Sequence, residues 1–131
     1  MKPVKFRAYV PAKHCYMKIV SIEVDNYKAI LRGRWDKANS LPTMKAVSTD
    51  TIILEQYTGF TDNNGKEIYE GDLLSVNGHG RGKVYFEYGA FRVVSLDDCT
   101  NRWTLQEFLN HFQGEFPVEV TGNIHEEEKG E

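Results

Sequence analysis

The chain reads as a mainly β protein: an antiparallel barrel-like or sandwich architecture of about eight or nine short strands, with one short helix near the carboxyl end. Three observations predict it. Short segments rich in Val, Ile, Tyr and Phe recur along the sequence, and Gly, Asn, Asp or Pro separates each from the next. Only one stretch, Leu105 to Phe112, spaces its apolar residues at a helical period. At 131 residues, 40% hydrophobic and 12% aromatic, the chain is long enough to bury a core without disulfides or metals. We expect one domain over 1–131, divisible into lobes of about 1–58 and 59–125, with 126–131 an acidic, disordered tail.

Val4 to Val10 alternates in character, placing Val4, Phe6, Ala8 and Val10 on one face and Lys5, Arg7 and Tyr9 on the other. Pro11 ends that strand. Tyr16 to Val24 is β-branched and turns at Asp25-Asn26 into Lys28 to Arg32, since Asx side chains close turns by bonding nearby backbone. Gly33 to Pro42 breaks the pattern and reads as a loop carrying Trp35, after which Thr51 to Tyr57 resumes a strand. Gly59 is expected to end it. Asn64-Gly65 tolerates positive φ and centres a reversal around which Tyr57, Phe60, Ile68 and Tyr69 pack, and Glu70-Gly71-Asp72 pivots the chain into Leu73 to Val76.

The glycine-rich run from Asn77 to Lys83 has the composition of a phosphate cradle, but such a loop must open a helix, and Lys83 to Tyr88 is a strand. A hairpin connection is the better reading. Tyr88-Gly89 turns the chain again and Ala90 to Leu96 returns as a partner strand. Thr104 caps the helix and Glu107 completes a capping box, with Leu105, Phe108, Leu109 and Phe112 on the core-facing stripe. Gly114 stops the helix, and Val118 to Ile124 forms the last strand after Pro117.

Charge is distributed unevenly. Residues 1–50 hold ten Lys and Arg against four Asp and Glu, whereas residues 51–131 hold six against fifteen, within a net charge of −3. Neutralisation of one half by the other, inside the fold or between copies of a homo-oligomer, needs no outside partner. The alternative is a nucleic-acid surface using Arg7, Arg32, Arg34, Arg81 and Lys83, with Trp35 stacking on bases. Overall acidity disfavours it, because phosphate attraction dominates such binding.

No residue set assembles a reaction centre. His14, His79, His111 and His125 lie in separate segments, and the neighbours His14 and Cys15 would point to opposite faces of a strand. Ser48, Ser75, Ser95 and Cys99 lack an oriented base or a nucleophile elbow. Asp62, Glu67, Glu70 and Asp72 are the carboxylates best placed for a metal-dependent enzyme, but their spacing fits no calcium loop and each has a turn-capping role. The expectation is a protein that is no enzyme, with no catalytic residue, no metal and no cofactor. Cys15 and Cys99, far apart and without CxxC spacing, are expected to be free thiols. No apolar run approaches the roughly 20 residues that span a bilayer, and Met1 to Arg7 lacks the apolar core of a secretion signal. A soluble cytoplasmic protein without membrane contact is expected.

The tract Gln56-Tyr57-Thr58-Gly59, Asp62, then Asn64-Gly65-Lys66-Glu67-Ile68-Tyr69-Glu70-Gly71-Asp72 resembles the signature of the YopX family of phage and prophage proteins. Lys5-Phe6-Arg7-Ala8-Tyr9 is similar to the family's opening segment, with Tyr9 where Trp is usual. Val118 to Glu126 is similar to its closing segment, with Thr121 for Ile and His125 for Tyr. Pro11 to about Asp50 is unmatched. Tyr57, Gly59, Asn64, Gly65, Tyr69, Gly71, Asp72, Gly122 and Asn123 are accordingly structural signature residues. The resemblance implies a small β-rich, phage-encoded protein of the bacterial host cytoplasm. It would be an accessory or interaction protein acting through surface contacts with itself or with a phage or host protein.

Overall fold

The computed structural model describes residues 4–35, 41–76, 80–97, 102–112 and 116–126. It is mainly β and antiparallel with one short helix, as the sequence predicts. The chain forms two compact units, one of Lys5–Gln56 and one containing the chain from Tyr57 onward.

The amino-terminal unit contains β1 (Phe6–Val10), β2 (Cys15–Glu23), β3 (Lys28–Gly33), β4 (Thr43–Ser48) and the first half of β5 (Ile53–Thr61). Their order is β4-β3-β2-β1-β5, every neighbour antiparallel. Pro11–Lys13 forms a single helical turn between β1 and β2, closed by His14 at φ 51°. Ala8, Val10, Met17, Ala29, Leu31 and Ile52 make the buried core of this unit, with Trp35, Val47 and Leu54 packed against it. Alternation accounts for Ala8 and Val10 facing the core. It fails for Tyr9, which is also buried, and for Phe6, which is exposed.

Two expectations need correction here. Thr43–Ser48, which carried no strand assignment, is β4, paired with β3 along its whole length from Lys28↔Ser48 to Gly33↔Thr43. Its sequence Thr-Met-Lys-Ala-Val-Ser has little apolar contrast, because four of its first residues face solvent and register alone makes it a strand. Gly59 also does not end its strand. β5 runs on to Thr61 with Gly59 at φ 89°, where the pairing register shifts between Tyr57 and Thr61. A glycine absorbs that irregularity because an L side chain would be strained there.

The second unit continues from β5 into β6 (Glu67–Tyr69), β7 (Asp72–Val76), β8 (Gly80–Glu87), β9 (Ala90–Ser95), β10 (Arg102–Thr104), α1 (Leu105–Phe112) and β11 (Val118–Asn123). Five strands form one sheet in the order β10-β9-β8-β7-β11. α1 contributes Leu105, Phe108 and Leu109 to a core with Ile68, Leu74, Val76, Val84, Val93 and Val118. Its capping box forms as expected: Glu107 N donates to Thr104 Oγ1, while Thr104 N and Oγ1 both donate to Glu107 Oε1. β8 begins at Gly80, so Arg81 and Lys83 lie in a strand rather than in the preceding connection. Eleven strands are present among the described residues, more than the sequence suggests. Both sheets have edges, so neither closes into a barrel. The expectations for Gly114, His79, Cys99 and the tail beyond Glu126 lie outside the described residues.

Candidate functional site

The signature tract is built as a corner. Asp62 Oδ1 accepts hydrogen bonds from Asn64 N and Lys66 N at 2.8 and 2.9 Å, and Gly65 N donates to Asp62 O at 3.1 Å. Asx chemistry closes the reversal that Asn64-Gly65 predicts, and Gly65 takes φ 80°. Thr58 Oγ1 donates to Ile68 O at 2.7 Å and accepts from Phe60 N, while the rings of Tyr57 and Tyr69 sit 5.5 Å apart. Asp72 Oδ2 accepts from Tyr69 N at 2.8 Å, bridging the pivot, and Gly71 O accepts from Ile124 N at 3.0 Å. Asn123 Oδ1 accepts from His125 N, so Gly122-Asn123 ends the last strand with its own Asx turn.

This corner also closes a sheet edge. Val118 N donates to Asn63 Oδ1 at 2.7 Å, Asn63 N donates to Val118 O at 3.0 Å, and Val120 N donates to Asp62 Oδ2 at 2.9 Å. Three outward backbone groups of β11, Val118 N, Val118 O and Val120 N, are thereby occupied by two side chains and one amide of the corner. Both Asp62 oxygens serve backbone amides, at a residue only 5% exposed. Asp62 and Asp72 are spent on structure. Among the described residues no group of three or more His, Cys, Asp or Glu could hold a metal ion.

The sequence-predicted basic residues divide between the two units. Arg7 Nε donates to Glu55 Oε1 at 2.8 Å, with Tyr16 OH donating to the same oxygen at 2.7 Å. The Arg7 guanidinium lies 4.4 Å above the Tyr16 ring, and Glu55 is 2% exposed. This network neutralises Arg7 internally. Trp35 packs on the core of its unit; Lys45 Nζ stands 5.1 Å above its ring, Trp35 Nε1 donates to Leu31 O at 3.4 Å, and Lys13 Nζ donates to Trp35 O at 3.0 Å. Its ring packs against the core of the unit. Arg81 and Lys83 project from β8 of the other unit.

Arg32 and Arg34 do come together, and with Lys18, another of the cations of the basic amino-terminal half. Lys18 on β2 is the register partner of Arg32 on β3, and both are exposed. With Arg34, Cys15, Tyr16, Met17, Gly33 and Pro42 they line a cleft of about 470 Å³. A Cβ on Gly33 would stand 2.6 Å from Met17 Sδ, so the absence of a side chain there lets the buried Met17 pack closely against β3. Cys15 is a free, half-buried thiol in this wall. The signal was present in the sequence as Arg32-Gly33-Arg34, but the pairing with Lys18 depends on register, and β2 is irregular between Ile19 and Ser21.

Beside the cleft lies an open edge. Thr49 N donates to Tyr27 O at 2.9 Å, which fixes the alternation of β4: residues 43, 45 and 47 turn their backbone groups toward β3, and Met44 and Ala46 turn theirs outward. β4 is the terminal strand of its sheet, and Met44 is 65% exposed. β6 and β10, also terminal, have three residues each.

The fold is thus that of a mainly β protein whose Gly- and Asx-rich corner seals one edge of an antiparallel sheet. The chain belongs to the YopX family: the family described as YopX protein matches residues 5–129. A solved structure, protein EF1440 from Enterococcus faecalis, is similar over 98% of both chains at 20% identity, with a TM-score of 0.60. At that identity the likeness concerns the fold. No curated protein matches the chain. No helix among the described residues is long and apolar enough to cross a membrane.

Proposed function

We propose that this chain is an accessory interaction protein that holds a partner polypeptide by extending the amino-terminal sheet at β4. The observation that carries this reading is the open edge itself: six residues with the backbone of Met44 and Ala46 directed outward, where β11 of equal length is sealed by Asp62 and Asn63. Main-chain bonds would give affinity. The neighbouring charges would give preference, because β3 and β4 carry Lys28, Arg32 and Lys45 and no carboxylate.

The partner strand is accordingly acidic. Pairing of β4 with β4 of a second copy would bring like charges together, whereas the acidic carboxyl-terminal half of a second copy, or an acidic segment of a phage or host protein, would not. The reading assigns the protein no catalysis, and places it in the cytoplasm of a bacterial host as a phage- or prophage-encoded component, in keeping with what the family resemblance implies.

Amide hydrogen exchange with a synthetic nine-residue peptide alternating glutamate and valine tests the edge. Slower exchange at Met44 and Ala46, abolished by Ala46→Pro, is the expected result. Unchanged exchange at both amides with excess peptide would overturn it. Sedimentation at low and high salt tests the second-copy version, which a monomer under both conditions removes.

A further inference from the structure

We infer that the cleft of Lys18, Arg32 and Arg34 is a binding site for a compact ligand carrying two adjacent phosphate groups, such as a free diphosphate or the tail of a nucleoside diphosphate. This goes beyond strand addition at β4, since it concerns the side-chain face of β2 and β3 and not the backbone edge.

Like charges placed directly opposite one another on neighbouring strands destabilise a sheet. Lys18 and Arg32 are such a pair, and Arg34 adds a third cation two residues further along the chain. None of the three side chains makes an ion pair or hydrogen bond to another described residue, although the same unit does neutralise Arg7 with Glu55. The unit therefore pairs one arginine at short range and leaves three cations gathered at a concave surface. A single carboxylate would offset one of these charges, whereas a diphosphate offers several oxygens to two guanidinium forks and an ammonium at once.

The walls favour a compact ligand over stacked bases. Tyr16 is the aromatic residue of the cleft, and its ring is already engaged by the Arg7 guanidinium at 4.4 Å and by Tyr9 edge-on at 5.2 Å between centroids. These contacts compete with a nucleobase for that ring. The cleft volume of about 470 Å³ lies within the range of small-ligand sites.

Inorganic pyrophosphate is the probe. Calorimetric titration at low salt is expected to show saturable binding that weakens at least about tenfold in Arg32→Glu with Arg34→Glu, the loss of two charge-assisted contacts. Lys66→Glu with Arg81→Glu, exposed cations of the other unit, is expected to keep affinity within about threefold. Circular dichroism confirms that each variant is folded. Absence of binding, or equal binding by the cleft variant, would overturn the inference. So would binding of oligothymidylate through the same arginines that pyrophosphate does not displace. Ala46→Pro should bind pyrophosphate normally, so failure of the edge and failure of the cleft are separable.

Discussion

The edges of β11 and β4 have the same length and opposite treatment. At β11, Asp62 and Asn63 deliver side-chain acceptors to Val118 N and Val120 N, and Asn63 N reaches Val118 O. At β4, Met44 and Ala46 direct backbone groups outward from a terminal strand. The difference lies in the chain's investment. The signature tract uses its acidic and amide side chains to close an edge, whereas β4, within the same family match over residues 5–129, keeps an edge that stays open. An exposed edge is a template for another strand, so proteins generally cover or interrupt those that have no use.

The largest effect is expected where the sealed edge is broken. Asp62→Ala leaves the amides of Asn64, Lys66 and Val120 without their acceptor at a buried position, and should cost about 3–5 kcal/mol, read as a lowered urea midpoint. Asn63→Ala removes one cap and should cost about 1–2 kcal/mol. If both variants retained full stability, the caps would not be what closes β11.

Proline substitutions sharpen the contrast at β4. Lys45→Pro removes an amide directed at β3 and should cost about 3 kcal/mol, while Ala46→Pro removes an outward amide and should cost about 1 kcal/mol or less. Equal losses would mean that the alternation is reversed. Gly33→Ala, at the end of β3, pushes a methyl group against both Sδ and Cγ of the buried Met17 and should cost about 1–3 kcal/mol.

A third terminal strand, β10, leads directly into α1 and offers a pH-dependent control. The Thr104 side-chain hydrogen bond, then the Thr104 backbone bond, hold the Glu107 carboxyl below its ordinary value of 4.5, with Arg92 assisting. A depressed folded-state pKa contributes stability above the ordinary value and loses it as pH falls through the folded one. Thermal melts should therefore show wild type losing its small advantage over Glu107→Gln in acid, with the two curves converging. An advantage that grew as pH fell would refute the capping box as its source.

The corner shows how much of the fold is legible in order along the chain. Asn64-Gly65, the Asx residues, and the Thr104 to Glu107 capping box act within a few residues of themselves, and their hydrogen bonds appear where local chemistry places them. β4 was not legible, because Thr43–Ser48 has neither strong alternation nor β-branched density and becomes a strand only by pairing with β3. Trp35 and Arg7 looked like free recognition residues in a basic segment. Core packing of the one and a distant partner for the other, Glu55, gave them internal work.

By itself the sequence determined the class of fold, the single helix, the turn chemistry and the family, because propensity, capping and glycine placement are short-range properties. Tertiary structure alone decided which edge is sealed, which strand remains open, and that Lys18 stands opposite Arg32 with Arg34 beside it. Those relations bring together residues far apart in the chain, and register, set by the pairing of whole strands, selects them.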